Sequence, residues 1–305
     1  YTISNSVKII AEEAFNGCDN LTSITIPTSV TSIGNAAFAN CHSLTSITIP
    51  ASVVSIGWGV FSACQALTEI KVDAANPAYI AIDGVLFDKN MTTVIQRPEK
   101  RSETSYTIPS GVTTIAEGAF WGNTELTSIT IPNDVSMIGD RAFSHSGLTS
   151  VTLPVSVTQI GYSLFWNCKE LTDVTLPAGI TDIQAGTFDE CEKLKNVTVR
   201  MQTPPNIEHK NIFRDVTLSD VTLTVPKGTV EAYKAAGWTG FKEYKEAAST
   251  FDVQPANFDL DYSWNEKIIE VTSDRPWKAT LEGNVAAEFV VDDSNPNDVK
   301  SAPEI

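Results

Sequence analysis

The sequence predicts a repeat solenoid. Coils about 23 residues long each give a short parallel strand and a short helical turn, and a small all-β sandwich-like module follows. Three observations predict this. The heptapeptide Leu21-Thr-Ser-Ile-Thr-Ile-Pro27 returns, unchanged or closely varied, at Leu44 to Pro50, Leu126 to Pro132, Leu148 to Pro154 and Leu171 to Pro177. Degenerate copies start at Leu67 and Leu194. The leading leucines keep step: Leu21, Leu44 and Leu67 stand 23 apart, and Leu126, Leu148, Leu171 and Leu194 advance by 22, 23 and 23. A phenylalanine recurs once per unit with cysteine three residues on, as in Phe15/Cys18, Phe38/Cys41, Phe61/Cys64, Phe165/Cys168 and Phe188/Cys191. No single unit can bury its apolar face alone, whereas stacked neighbours bury a continuous core.

Within a unit, Ile24 and Ile26 alternate with Thr25, the period of a strand with one buried face. Pro27 cannot donate to a ladder, so it ends the strand and turns the chain. Val30-x-x-Ile33-Gly34 supplies a second apolar pair, and Ala37-Phe38-x-x-Cys41 has room for about one helical turn. Between Val72 and Tyr106 the pattern breaks. Tyr79 to Ile82, then Asp83-Gly84, then Val85 to Phe87 reads as a hairpin with a tight primed turn, and Thr93-Val94-Ile95 offers a third strand. This insertion spans roughly 73–105. The repeat restarts at Tyr106, whose following residues mirror those after Tyr1. The chain therefore opens in mid-pattern, and an export signal is expected outside it.

A cap is expected near 200–246, which closes a first domain of residues 1–246. It holds Leu223-Thr-Val225-Pro226, a short helix from Thr229 to Ala236 stopped by Gly237, then Trp238 and Phe241. A solenoid end needs a cover with a polar outer face, and Lys234, Lys242, Glu243 and Lys245 suit it. Residues 247–305 form the expected β module.

The formal charge of -16 argues against nucleic acid and against anionic lipid. No apolar run is long enough for a membrane span.

The pattern Leu-x-x-Ile-x-Ile-Pro, Ile-Gly, Ala-Phe-x-x-Cys-x-x-Leu, with its hairpin-bearing coil and terminal Val225-Pro-x-Gly228, Tyr233, Trp238 and Phe241, resembles BspA-like leucine-rich-repeat proteins over roughly residues 1–245. The resemblance implies a leucine-rich-repeat solenoid and an exported or surface-attached protein of host-associated bacteria, acting in adhesion. It supplies no catalytic residues. The tail, with Ile268-Ile-Glu-Val271 and Ser273-Asp-Arg-Pro-Trp277, resembles the first half of a BACON domain, a β-sandwich found beside carbohydrate-active or surface modules. A divergent Ig-like spacer fits the tail equally.

The cysteines share one slot with Asn123 and Ser146, so they read as a column of small side chains rather than disulfides or metal ligands. His42, His145 and His209 fall at unrelated phases, and no catalytic or nucleotide motif is present. No enzyme, cofactor or metal is expected. Asp293-x-Asn295-x-Asn297 has the spacing of a calcium loop, but Asp298 stands where glycine should and prolines flank it, so it reads as an acidic turn.

Two surfaces remain. Outward strand positions form a threonine-rich face, as at Thr25, Thr48 and Thr130. Four aromatics break columns that are mainly polar or small elsewhere: Trp58 and Tyr162 where sister coils carry Glu12, Asn35 or Asp140, and Trp121 and Trp166 where they carry Asn16, Ala39 or Ser144. Trp58, Trp121, Tyr162 and Trp166 are the expected ligand-binding residues, the alternative being packing on a neighbouring coil. The expected partner is a host extracellular or cell-surface protein, with a glycan as the alternative and a structural spacer as the second. The expected location is extracellular or at the cell surface, and the expected state is a monomer.

Overall fold

The structure, a computed structural model, describes residues 1–208 and 210–247 and two short strands, Asp252–Val253 and Val271–Thr272. The chain divides into two compact units, Tyr1–Glu246 and Ala247–Ile305.

The first unit is a solenoid of about ten turns. The heptapeptides form one strand column. Ser46–Ile49 pairs in parallel with Glu69–Val72, and Ser105–Thr107 with Ser128–Thr130. Ser150–Thr152, Asp173–Leu176, Asn196–Val199, Thr222–Val225 and Glu243–Glu246 complete a five-stranded parallel sheet. The register advances one coil per step, with Ile47 beside Ile70 and Val174 beside Val197. The isoleucines point inward and the threonines outward, as the alternation predicts. In the regular coils a threonine just before the strand locks coil to coil: Thr68 Oγ1 donates to Thr45 O at 3.0 Å and Thr172 Oγ1 to Thr149 O at 2.9 Å.

Val-x-x-Ile-Gly forms a second column of two-residue parallel strands, among them Ser32–Ile33, Ser55–Ile56, Thr114–Ile115, Met137–Ile138 and Gln159–Ile160. The glycine is a packing requirement. A Cβ on Gly139 would fall 2.6 Å from Glu117 N in the coil before it.

The short turn around the repeat phenylalanine is a run of i→i+3 turns whose alternate N–H groups donate to the next coil. Glu13, Phe15 and Gly17 N reach Asn35, Ala37 and Ala39 O at 2.8–2.9 Å. Residues two before and two after the phenylalanine take up positive φ to make this alternation, as Arg141 (51°) and His145 (57°) do around Phe143. Every turn is thereby tied to its neighbour through backbone, which leaves few buried polar groups unpaired. Inside, Phe120, Phe143, Phe165, Phe188 and Phe213 stack at 5.2–5.8 Å. The cysteine slot is structural: Cys41, Cys64, Cys168 and Cys191 donate to the phenylalanine carbonyl of the coil before, at 3.0–3.1 Å. All five cysteines are free thiols.

The irregular coil carries the hairpin. Tyr79–Ile82 pairs antiparallel with Val85–Asp88 across Asp83 and Gly84, both at positive φ (47° and 75°), as a primed turn requires. Thr93–Gln96 follows as the third strand and rejoins the second column beside Thr114–Ile115. The hairpin divides the core into two apolar clusters, Leu86 packing in one and Val85 and Phe87 in the other.

The C-terminal region holds more of the repeat than its sequence shows. Phe213 stacks on Phe188 at 5.2 Å, so the proline-rich stretch after Met201 is another coil. Beyond it, Val230–Ala235 is helical, Tyr233 Oη donates to Met201 O (2.7 Å) and Trp238 Nε1 to Pro205 O (3.0 Å). Glu243 and Lys245 of the final strand are exposed.

In the second unit Asp252–Val253 pairs antiparallel with Val271–Thr272. The remaining BACON-like segment, the calcium-like spacing from Asp293 and His209 lie outside the described residues.

Candidate functional site

Trp58 and Tyr162 stand just past the glycine of the second column, where an Asx side chain in the coil before holds each backbone. Asn35 Oδ1 accepts Trp58 N at 3.3 Å, and Asp140 Oδ1 accepts Tyr162 N at 2.9 Å. Both rings project: Trp58 is 51% exposed and Tyr162 55%. Trp121 and Trp166 are half-buried instead. Columns two coils apart suggest a separation near 10 Å by strand spacing alone. Their ring centroids are 5.8 Å apart, because both lean on His145 of the intervening coil, 4.7 Å from each. Trp166 Nε1 donates to Glu190 Oε1 at 3.0 Å. Asn167 Nδ2 lies 2.7 Å from His145 Nδ1, and burial holds the imidazole pKa down, favouring its neutral form. The four aromatics are thus two projecting rings and one joined pair.

A notch opens where the irregular coil is short. Its Val94 pairs with Ile115, and Arg97 takes the phenylalanine position, since Arg97 N donates to Ala119 O as Phe120 N does to Ala142 O. Arg97 stands three positions after Val94, whereas Phe120 stands five after Ile115. The coil therefore has no counterpart of Glu117 and Gly118. Two cavities of about 210 Å³ each flank the gap. One is lined by Ile56, Trp58, Tyr79, Gln96 and Glu117, the other by Asn40, Trp58, Glu117, Trp121 and Arg141. Glu117 Oε1 lies 3.7 Å from Arg141 Nη1. Burial, and then the charge of Asp140, raises the Glu117 carboxyl pKa.

The segment that follows the gap buries polar side chains. Arg97, 1% exposed, donates to Asn123 Oδ1 and to Glu103 O and lies over the Tyr106 ring. Glu99, 7% exposed, meets the backbone N–H groups of Ala63 and Cys64, and burial raises its carboxyl pKa to about 8.

Sequence reasoning missed Glu117, Arg141 and His145 as site residues. The slot that is Gly57, Gly139 and Gly161 in other coils is Ala116 here, but it is also Ala11 and Gln184, so the sequence carried no distinctive signal for them. The arrangement offers an aromatic surface beside a carboxylate and a guanidinium that already pair, which suits recognition. Among the described residues no group of three or more His, Cys, Asp or Glu side chains is placed to hold a metal. No helix among them is long and apolar enough to cross a membrane.

The coil geometry defines a leucine-rich-repeat scaffold. The chain belongs to the BspA type leucine rich repeat region family, six copies of which match residues 1–94 and 99–224. The break between them falls on the short segment that holds Arg97. Among solved structures, the chain is similar to the pneumococcal vaccine antigen PcpA, with 20% identity and a TM-score of 0.63 over 81% of this chain and 67% of that one. It is similar to a leucine rich cell surface protein from Faecalibacterium prausnitzii, with 29% identity and a TM-score of 0.58. The match covers 81% of this chain but spans only 59% of that protein's chain. A leucine-rich repeat protein from Eubacterium ventriosum matches at 24% identity and a TM-score of 0.53, over 80% of this chain and 71% of that one. A search of curated proteins finds no match.

Proposed function

We propose that this chain is a non-catalytic binding module displayed at a bacterial cell surface, where it captures a host extracellular or cell-surface protein through its turn edge. The observation that carries this is the exposure of Trp58 and Tyr162 in a column that holds Glu12, Asn35 and Asp140 in sister coils. Core packing does not require a large ring there, and exposed Trp and Tyr are the residues that anchor protein interfaces. The similarity to a cell surface protein supports the location. A glycan partner is the second reading, favoured by the notch at Trp58.

The test is surface plasmon resonance of the chain against host extracellular and cell-surface proteins, beside a glycan array. The double variant Trp58→Asn/Tyr162→Asn, using a residue the column already accepts, should lose at least tenfold in affinity at unchanged Tm. Capture of no protein, or capture indifferent to the double variant, overturns the reading and leaves a structural spacer in its place.

A further inference from the structure

We propose that the notch between Trp58 and Glu117 is a binding site for a single neutral pyranose ring, with the Trp58 indole as its stacking platform. This deepens the glycan reading at that notch, on which it rests, and does not depend on capture of a protein.

The notch is a built feature of the repeat. It exists because one coil omits two residues in a column that every flanking coil fills. Each cavity of about 210 Å³ has the volume of about seven waters in the liquid. That is the scale of one sugar ring, with the rest of a chain left outside. Trp58 lines both cavities while remaining 51% exposed, and among the described residues no other ring packs on its indole. The residue after it is Gly59, and Gly118 faces it from the other wall, both left-handed at 58° and 64°. Elsewhere that turn position carries Glu13, Ala36, Arg141 and Ser163, with Gly186 the one other glycine, so a side chain is tolerated there by the backbone. Beside the notch both walls are bare, which leaves the indole accessible.

The chemistry selects the ligand. A pyranose presents a C–H face to an aromatic ring and hydroxyls around its rim. Glu117 accepts and Arg141 and Asn40 donate at the edge of the second cavity. Glu117 and Arg141 are already paired at 3.7 Å, so the site has no free charge to neutralise an ionic ligand. A purely apolar group would use Trp58 but strip water from the pair without replacing it.

The full chain is titrated with methyl glycosides of neutral hexoses and N-acetylhexosamines, read by saturation-transfer NMR and indole fluorescence. At least one glycoside should bind with millimolar affinity, and Trp58→Asn should weaken it tenfold or more at unchanged Tm. Glu117→Gln, which keeps the side-chain shape, should weaken it severalfold and serves as the readout where Trp58→Asn lowers Tm. If no glycoside binds, or if neither variant changes the affinity, the proposal is overturned. Monosaccharide binding needs no protein partner, so this outcome is independent of the protein panel that tests the adhesion reading.

Discussion

Replacing Glu99 with glutamine tests how the solenoid bridges its short coil. In regular coils the N–H two residues past the phenylalanine donates to the next coil, as Asn40 N does to Ser62 O at 2.8 Å. At Ala63 the Glu99 carboxyl meets that N–H instead, with one of its oxygens, Oε1, left unpartnered. Burial raises its pKa from the ordinary 4.5 to about 8. The native state therefore holds this proton more tightly than the unfolded chain does. Below pH 4.5 both states are protonated and nothing is lost. Between 4.5 and 8 the unfolded chain ionises while the native carboxyl stays neutral, so this group erodes stability as pH rises. Each pH unit in that window costs about 1.4 kcal/mol, which over about 3.5 units makes the whole effect on the order of 5 kcal/mol. Urea unfolding of wild type and Glu99→Gln from pH 4 to 9 measures it. The other groups cancel in the difference between the two curves. The variant should gain on wild type steadily across the window and lead by several kcal/mol at pH 9. Parallel curves would show that Glu99 ionises freely in the native state and that the gap is hydrated.

Two further predictions follow from the columns. Burial raises the pKa of Cys41 and Cys168 to about 11, and pushes Cys64 and Cys191 up as well, so a thiol reagent at pH 8 should react with at most Cys18 in the native protein and with five thiols in unreduced denaturant. Fewer than five in denaturant would replace the column with disulfides. Gly139→Ala should cost about 2 kcal/mol or more in urea unfolding, because its Cβ would meet Glu117 N at 2.6 Å. A loss below about 0.5 kcal/mol would show that the coils can part without penalty.

The regular coils were legible because each residue type answers to one force. Ile47 and Ile49 face the core while Thr48 faces water, and the primed turn at Asp83-Gly84 follows from its own backbone demand. The turn column was less legible. Its alternation of handedness is stabilised by bonds to the next coil, so Glu13, Ala36 and Arg141 adopt positive φ despite no local preference for it. Tertiary hydrogen bonding overrides propensity there. The coil at Phe213 was hidden because the proline-rich stretch after Met201 replaces its Val-x-x-Ile-Gly segment, while the strand column and the phenylalanine stack continue. His145 was set aside because the three histidines fall at unrelated phases of the repeat; it is the common neighbour of Trp121 and Trp166 through stacking across coils, a relation that linear spacing shows only once the columns are aligned.

The same alignment explains why the unusual residues collect in one place. In a solenoid each coil touches only its neighbours, so a short coil disturbs two interfaces and no more. At those interfaces a buried arginine replaces a phenylalanine, a buried glutamate stands in for a carbonyl, and an alanine replaces the spacing glycine. The arginine and the glutamate would each be costly in a regular coil, and both are accommodated by the same missing pair of residues. A core evolving for stability alone would close the gap with two residues and restore the Phe61–Phe120 stack through a phenylalanine at position 97. Departures of this kind gather where a protein gives up stability for function. Trp58, the most exposed of the tryptophans expected to bind ligand, stands on the wall of that gap.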